Sequence, residues 1–165
     1  MHATLASSLQ QFENLRAVYR CYRYAYLRAT QEAEVGIDAK ETALWNELSE
    51  EYEGDDNDGR RGLKRQAIFV PVLLTSGATI GEGIAVDISG GGIFVLSQIP
   101  KTEGDSIQVH FHRPGQSDLV FTGIVVRRCV ELGNAGLGIR FEGVPMSIDR
   151  CCDEQSRGTA LGCTA

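Results

Sequence analysis

The chain has 165 residues, a formal net charge of −6, 42% hydrophobic residues and 23% charged residues. This length allows one domain of about 100 residues with an attachment, and this composition excludes a wholly disordered chain. The sequence has no apolar run of the roughly 18 residues that a transmembrane helix needs, and its N-terminus lacks the features of a signal peptide. We therefore predict a cytoplasmic protein that is neither inserted into a membrane nor secreted.

Charge divides the chain into two units near residue 58. Residues 1–58 carry 5 basic and 12 acidic side chains, whereas residues 59–165 carry 11 basic and 10 acidic side chains. Together with the patterns described below, this division predicts four segments: a helical extension over 1–53, an acidic linker and arginine loop over 54–65, a β-barrel domain over 66–150 and a C-terminal tail over 151–165.

The N-terminal segment has the apolar spacing of helices. Its apolar residues recur at every third or fourth position, namely Leu5, Leu9, Phe12, Leu15, Tyr19, Tyr22 and Tyr26. Gly36 interrupts the pattern, Asp38 is a candidate N-cap, and the spacing resumes at Leu44, Trp45, Leu48 and Tyr52. We predict a helical hairpin. Its apolar face either docks on a partner or a second copy, or packs on the chain's own β-domain, and the sequence leaves both open.

From Arg65 onward, apolar and polar residues alternate with the period of a β-strand. Ile107, Val109 and Phe111 alternate with polar neighbours, and further β-branched and aromatic runs lie at 66–76, 80–88, 92–97, 119–131 and 136–142. Glycine-containing turns separate these runs, and no helical pattern lies between them. The pattern predicts a mainly β fold, a six-stranded antiparallel barrel or sandwich, with a short C-terminal helix at 147–155.

A basic cluster lies between the acidic linker and the first strand, with the sequence Arg60-Arg61-Gly62-Leu63-Lys64-Arg65. Guanidinium groups donate parallel hydrogen bonds to phosphate or to the O6/N7 edge of guanine, so the cluster is a candidate anion site. The alternative is that these charges mark a strand entry and pair with the acids upstream. The cluster alone favours that alternative.

A second candidate site surrounds a turn of three glycines, Gly90-Gly91-Gly92. Asp87 and Ser89, two residues apart on the preceding strand, are expected to project from the same side of it. A carboxylate beside a hydroxyl suits the N1–H and N2–H edge of a guanine, and glycine allows a ligand to approach the backbone. By itself, this pattern is more often a local cap.

The two candidate sites occur together in one order and spacing. Arg61-x-x-x-Arg65 followed by Asp87-x-Ser89-x-x-Gly92 resembles the paired RxxxR and D/NxSxxG signature of PilZ domains, the bacterial cyclic di-GMP receptors. The resemblance extends to Ile93-Phe94-Val95 and to the segment Gly136-Leu137-Gly138-Ile139-Arg140-Phe141, and it covers about residues 59–150. It leaves the N-terminal helices unexplained.

The resemblance implies a PilZ-type barrel whose arginine loop folds over a nucleotide on the outer face. It implies that Arg61 and Arg65 bind phosphate and guanine. It also implies that Asp87 and Ser89 bind a guanine edge and that Gly92 leaves space for the ligand. In the family, an arginine at the position of Arg60 accompanies a stacked pair of nucleotides, so we predict two cyclic di-GMP molecules per protomer. The competing interpretation is that Arg60 only extends the loop.

Seven acids lie directly before the arginine cluster: Glu47, Glu50, Glu51, Glu53, Asp55, Asp56 and Asp58. One hypothesis is that they occupy the arginine loop when no ligand is bound, so that binding displaces them and moves the helical hairpin. The alternative is a solvated spacer, because exposed contacts of this kind contribute about 1 kcal/mol or less each.

The sequence offers no catalytic machinery and no complete metal site. His110 and His112 have no third ligand at a suitable spacing, so a solvent-facing pair is expected. The five cysteines, which are odd in number and lack a CxxC spacing, are expected to be free thiols: Cys21, Cys129, Cys151, Cys152 and Cys163. We predict no enzyme activity and no cofactor.

These expectations combine into one function. The chain is predicted to bind cyclic di-GMP and to signal to a protein partner, through its N-terminal helices or otherwise, in motility, exopolysaccharide production or development. The alternative is an adaptor that does not bind nucleotide. A barrel that binds single-stranded RNA is disfavoured, because residues 59–165 have a net charge of +1 and contain no Trp or Tyr. The oligomeric state is left open.

Overall fold

The computed structural model describes residues 2–53, 63–131 and 134–149. Two helices precede seven strands. The helices are α1 (His2–Glu32) and α2 (Ala39–Tyr52). The strands are β1 (Gln66–Ser76), β2 (Thr79–Ser89), β3 (Gly92–Leu96), β4 (Ser106–Phe111), β5 (Asp118–Glu131), β6 (Asn134–Phe141) and β7 (Met146–Ile148).

The strands form a closed antiparallel barrel. They are hydrogen-bonded in the order β4-β1-β2-β3-β6-β5-β7, and a further pairing of β4 with β5 closes the first six strands into a ring. The predicted six-stranded barrel is therefore confirmed, with β7 as an additional strand on β5. Within the barrel strands, alternate residues point inward, and Ile107, Val109 and Phe111 are buried as predicted.

The prediction of a C-terminal helix at 147–155 is wrong for residues 147–149, the part of this segment that the structure describes. Residues 146–148 form β7 and pair with residues 118–120 of β5. The reason is the length of β5: β6 ends opposite Gly123, so the first residues of β5 have a free edge there. A strand that continues along this edge pairs its backbone groups. Residues 150–155 lie outside the described part of the chain.

The helical hairpin packs on the barrel of its own chain, which answers the question that the sequence left open. The Tyr22 ring meets the Phe121 ring edge to face at a centroid distance of 6.2 Å. The Asn14 side chain donates a hydrogen bond of 3.3 Å to the backbone carbonyl of Phe69 in β1. One hydrophobic core, consequently, extends from the barrel interior into the hairpin. Among the described residues, neither helix combines the length and the apolar character needed to cross a bilayer.

The predicted buried face of α1 is only partly correct. Tyr22 is buried, but Leu9 and Phe12 are 66% and 63% exposed. The buried apolar residues among the described side chains lie in the second half of the helix and cover a wider arc: Val18, Cys21, Tyr22, Tyr24, Ala25 and Leu27. Two neighbours, α2 and the barrel, contact this half from different sides, whereas side chains 7–13 are all exposed.

Polar and aromatic contacts join α1 to α2. Arg20 forms ion pairs with Glu47 and Glu51 of α2, the first at 3.0 Å. The buried Cys21 thiol lies 3.4 Å from the Tyr52 hydroxyl. Burial raises the pKa of the Cys21 thiol to about 12, because the thiolate loses its hydration. These contacts fix the hairpin as one unit.

Asp38 caps α2 as the sequence predicts. Its carboxylate accepts a hydrogen bond of 2.8 Å from the Glu41 backbone N–H, and the Glu41 side chain accepts one from the Asp38 backbone N–H, which is a complete capping box.

Replacing Asp38 with alanine should lower the free energy of unfolding by about 1 kcal/mol, because the Glu41 backbone N–H at the helix start loses its acceptor. Urea denaturation followed by circular dichroism measures this loss. Asp38→Asn, which retains an accepting oxygen, is the matched control and should stay close to the wild type. Equal losses in both variants would contradict the capping role.

Candidate ligand-binding site

The β2–β3 hairpin places the predicted Asp87 and Ser89 on the outside of the barrel. Ile88, which lies between them, is fully buried in the barrel, so its two neighbours face away from the barrel interior, with Asp87 partly exposed and Ser89 6% exposed. Ser89 pairs with Gly92 across a two-residue turn. The Ser89 hydroxyl accepts a hydrogen bond of 3.3 Å from the Gly91 N–H and donates one of 3.4 Å to the Gly92 carbonyl. Ser89 therefore organises the turn that follows it.

Arg65 is brought to this hairpin by the pairing of β1 with β2. Gln66 pairs with Ile88 and Ala67 with Asp87, so the residue before β1 lies beside the end of β2. Arg65 Nη1 lies 3.1 Å from Asp87 Oδ1 and 3.3 Å from Oδ2. Both side chains are partly exposed, so this ion pair contributes about 1 kcal/mol or less and can exchange for a ligand.

The three glycines of the turn each lie against a different neighbour, and Gly90 and Gly92 are the two whose neighbours, a buried ring and a strand backbone, leave no room for a side chain. A Cβ on Gly90 would lie 2.2 Å from Tyr24 Cδ1 of α1, and one on Gly91 would lie 2.9 Å from Leu63 Cδ1. A Cβ on Gly92 would lie 2.5 Å from the Ile139 carbonyl oxygen of β6. The bare Gly92 is thus explained by the close approach of β6, whereas the resemblance implies that it leaves space for a ligand.

A cavity of about 710 Å³ separates this hairpin from the two helices. The barrel side contributes Leu63, Arg65 and Ser89, and the helical side contributes residues that include Tyr24, Arg28 and Trp45. This volume is within the range that small-molecule sites occupy. The sequence predicts the barrel side of the cavity and misses the helical side, since no local pattern reveals where two segments meet after folding.

Two acidic side chains in the helical wall of the cavity accept hydrogen bonds from neighbouring helical side chains. Arg28 Nε donates to Glu32 Oε1 at 2.9 Å, and the Tyr24 hydroxyl donates to Glu53 Oε1 at 2.7 Å. Burial, and then the hydrogen bond to Glu53, raises the pKa of Tyr24, so its hydroxyl remains protonated and acts as a donor. The cavity wall therefore holds acids that are already engaged.

One hypothesis from the sequence is that the acids upstream occupy the arginine loop. The acids whose partners the structure describes do not support it. Glu47 and Glu51 pair with Arg20, and Glu53 accepts from Tyr24. The acid that pairs with Arg65 is Asp87, from the barrel itself. The other candidates in the linker, Asp55, Asp56 and Asp58, lie outside the described residues.

Three residues of the arginine cluster also lie outside the described part of the chain: Arg60, Arg61 and Gly62. The ligand contacts expected of Arg60 and Arg61 remain predictions. Arg65, Asp87 and Ser89 are brought together as the motif spacing suggests, and Gly92 closes the same hairpin.

The two histidines each have a polar neighbour. His112 Nδ1 lies 2.9 Å from Asp118 Oδ1, and His110 Nε2 lies 3.0 Å from the Thr75 hydroxyl. Burial lowers the pKa of His110, because the imidazolium loses hydration. Within the described ranges, no group of three or more His, Cys, Asp or Glu side chains could hold a metal ion.

Comparison with known families identifies the barrel. The family model described as PilZ domain matches residues 59–154, which is more than half of the chain. The chain belongs to the PilZ family. PilZ domains are ligand-binding adaptor domains rather than enzymes. The family match agrees with the resemblance that the two motifs indicate.

Two solved structures are similar to this PilZ protein. The inhibitor of motility MotI/DgrA from Bacillus subtilis is 15% identical with a TM-score of 0.42, and the match covers 52% of this chain and 47% of that one. The PilZ domain of YcgR from Escherichia coli, solved with c-di-GMP, is 20% identical with a TM-score of 0.39. That match covers 50% of this chain and 77% of the YcgR chain. The chain thus spans about half the length of MotI/DgrA. No curated protein matches it.

Proposed function

We propose that this PilZ protein is a cytoplasmic receptor that binds cyclic di-GMP at the end of the β2–β3 hairpin and signals its occupancy to a protein partner. The observation that supports this most is that Arg65 and Ser89 line one edge of a cavity and that Asp87, on the same strand as Ser89, pairs with Arg65. Arginine and carboxylate side chains have complementary uses on this ligand, since one binds phosphate or the guanine O6/N7 edge and the other binds guanine N–H groups.

In this proposal, ligand binding replaces the ion pair between Arg65 and Asp87 with contacts from each of these side chains to the ligand. Arg65 and Asp87 pair with each other in the free protein. A cyclic dinucleotide offers an anionic phosphate to the arginine and N1–H and N2–H donors to the carboxylate, so both groups keep a partner of opposite polarity. The loop residues Arg60 and Arg61 supply the further cations in this proposal. No bond in the ligand is made or broken.

The helical hairpin is the element through which occupancy reaches a partner in this proposal. It contacts the glycine turn directly, since Tyr24 covers Gly90, and it lines the cavity opposite Arg65. A ligand that enters the cavity has to accommodate the hairpin or displace it.

Isothermal titration of cyclic di-GMP into the full chain tests the proposal. Wild type should bind, and Arg65→Ala, Arg61→Ala and Asp87→Ala should each weaken binding by about 10-fold to 100-fold. This range follows because a hydrogen bond to a charged group contributes about 1.5–3 kcal/mol. Arg128→Ala is the matched control, since Arg128 is an exposed barrel arginine that donates to the Lys101 carbonyl. It should bind as wild type does.

The same titration measures stoichiometry. If Arg60 supports a stacked pair, two ligands bind per protomer in wild type and one in Arg60→Ala. A one-to-one ratio in wild type would assign Arg60 to the loop alone. Absence of heat at ligand concentrations of hundreds of micromolar, with a folded protein, would favour the alternative of a PilZ adaptor that does not bind nucleotide.

A further inference from the structure

The helical wall of the cavity is absent from the barrel motif, yet it faces Arg65 and Ser89. We propose that Arg28 of α1 and Trp45 of α2 are ligand-binding residues of this chain: Trp45 stacks on a guanine base and Arg28 binds a phosphate of the same cyclic dinucleotide. This inference rests on the proposed function and extends the site from the barrel to the N-terminal hairpin.

Trp45 is held in place as a stacking surface. Its ring stacks on Tyr24 at a centroid distance of 5.4 Å and an interplanar angle of 19°. Tyr24 is fully buried, and it is fixed in turn by Tyr52, at a centroid distance of 5.3 Å, and by the bare Gly90. Trp45 itself is only partly buried and lines the cavity. A rigid indole with accessible surface beside an arginine is suited to a purine, because base stacking on an aromatic ring is favourable for every base.

Arg28 supplies a second cation. Of the described residues that line this cavity, Arg28 and Arg65 are the arginines. The Arg28 side chain is 47% exposed, interacts with the Tyr24 hydroxyl and the Glu53 carboxylate, and forms an ion pair with Glu32, one helical turn away on the same helix. Such a pair contributes about 0.3–0.5 kcal/mol, so a phosphate that offers charged oxygens in a partly enclosed site can replace it.

The ligand has a matching pattern of groups. Cyclic di-GMP carries two phosphodiesters and two guanines, and Arg65 with Asp87 can satisfy one phosphate and one base edge. Arg28 and Trp45 lie on the opposite wall, where the second phosphate or the face of a base is placed when the ligand fills the cavity. Two walls that bind one ligand also explain how occupancy is coupled to the position of the helices.

Glu32 is expected to affect ligand affinity in the opposite direction from Arg28. It competes with phosphate for Arg28 and adds a negative charge to the cavity wall. Neutralising it as Glu32→Gln should therefore strengthen binding, whereas removing the cation as Arg28→Gln should weaken it. Opposite signs from two residues of one ion pair are not expected if the pair only stabilises the helix.

Calorimetric titration of cyclic di-GMP into full-length variants measures these effects. Arg28→Gln should raise the Kd by about 5-fold to 20-fold, and Glu32→Gln should lower it by about 2-fold to 5-fold. Trp45→Leu should raise the Kd by about 5-fold to 100-fold, and Trp45→Phe, which keeps a ring on Tyr24, should have a smaller effect. Arg23→Gln is the matched control, because Arg23 is on the same helix, pairs with Glu41 and lines a different groove. It should stay within 2-fold of wild type.

Intrinsic fluorescence gives an independent readout, since Trp45 is the single tryptophan of the chain. Cyclic di-GMP should change the Trp45 emission at the same ligand concentration in wild type and in Arg23→Gln, whereas Arg65→Ala should need a ligand concentration about 10-fold to 100-fold higher for the same change. Thermal unfolding of each variant, followed by circular dichroism, confirms that it is folded at the temperature of the titration.

The outcomes separate this inference from the proposed function. If wild type binds and Arg65→Ala is impaired, but Arg28→Gln and Trp45→Leu bind as wild type does and Trp45 emission is constant, the helical wall takes no part. If wild type does not bind at all, the proposed function and this inference fail together. Weakening by Arg28→Gln with strengthening by Glu32→Gln supports the inference.

Discussion

Alanine at Gly90 should destabilise the protein by about 2–3 kcal/mol, although it adds only a single methyl group to the β2–β3 turn. The added Cβ would lie 2.2 Å from Cδ1 and 2.4 Å from Cε1 of Tyr24. The Tyr24 ring cannot move aside, because it is fully buried between Trp45 and Tyr52. The clash is therefore relieved only by shifting α1 away from the barrel.

A double-mutant cycle identifies Tyr24 as the cause. Tyr24→Ala by itself should cost about 3–5 kcal/mol, as is usual for truncating a buried aromatic side chain. In that background, Gly90→Ala should cost less than about 1 kcal/mol, since the space that the new methyl group needs has been vacated. Urea unfolding of the four proteins measures the coupling, and additive losses would contradict the packing of Tyr24 on this turn. Gly36→Ala is the matched control, because a Cβ there meets nothing within 4 Å, and it should be neutral or slightly stabilising.

Replacing Phe121 with alanine should cost about 3–5 kcal/mol and should unfold the helices together with the barrel. The Phe121 ring stacks on Phe141 at a centroid distance of 4.4 Å and meets the edges of Phe111 at 5.7 Å and of Tyr22 at 6.2 Å. Phe111 and Phe141 belong to the barrel and Tyr22 to α1. Removing the ring thus leaves a cavity that both units line.

The helices and the barrel are also expected to unfold in one cooperative transition. Helical ellipticity at 222 nm and a probe of the barrel, such as hydrogen exchange of β5 amides, should report the same midpoint in wild type and in Phe121→Ala. Phe69→Ala, at a barrel position that is 67% exposed, should lower the free energy of unfolding by less than about 0.5 kcal/mol. Two separate transitions would show that the hairpin and the barrel fold independently.

The barrel could be predicted from the sequence because its strands follow a local rule. Ile107, Val109 and Phe111 are buried in the barrel, and their alternation with polar residues is visible in the sequence. The N-cap at Asp38 is equally local, since the residues that complete its capping box lie within three positions. Local patterns are informative where the interaction partners are close in sequence.

The docking of α1 could not be predicted in the same way. Its apolar spacing indicates a helix but does not distinguish the side that faces α2 from the side that faces the barrel, and the exposed Phe12 fits the pattern as well as the buried Tyr22 does. Likewise, β7 forms because β5 extends beyond the end of β6, which is a property of the assembled sheet. These features depend on contacts between residues that are distant in sequence.

The candidate site likewise has one part that could be predicted from the sequence and one part that could not. The spacing of Arg65, Asp87 and Ser89 places them in one motif, and the register of β1 with β2 brings them together. Arg28 and Trp45 belong to no motif and enter the cavity through the packing of the hairpin. The sequence also assigns the glycines to ligand access, whereas the structure shows that Gly90 and Gly92 accommodate Tyr24 and β6.

The buried thiol between α1 and α2 has a practical consequence. With its pKa raised to about 12 and its sulfur against the Tyr52 hydroxyl, Cys21 is almost wholly in the unreactive protonated form and is shielded from reagents at neutral pH. Alkylation at this position can proceed only in molecules whose two helices have separated. The chain therefore carries a natural chemical probe of hairpin opening, and the rate of modification of Cys21 reports how often α1 and α2 separate.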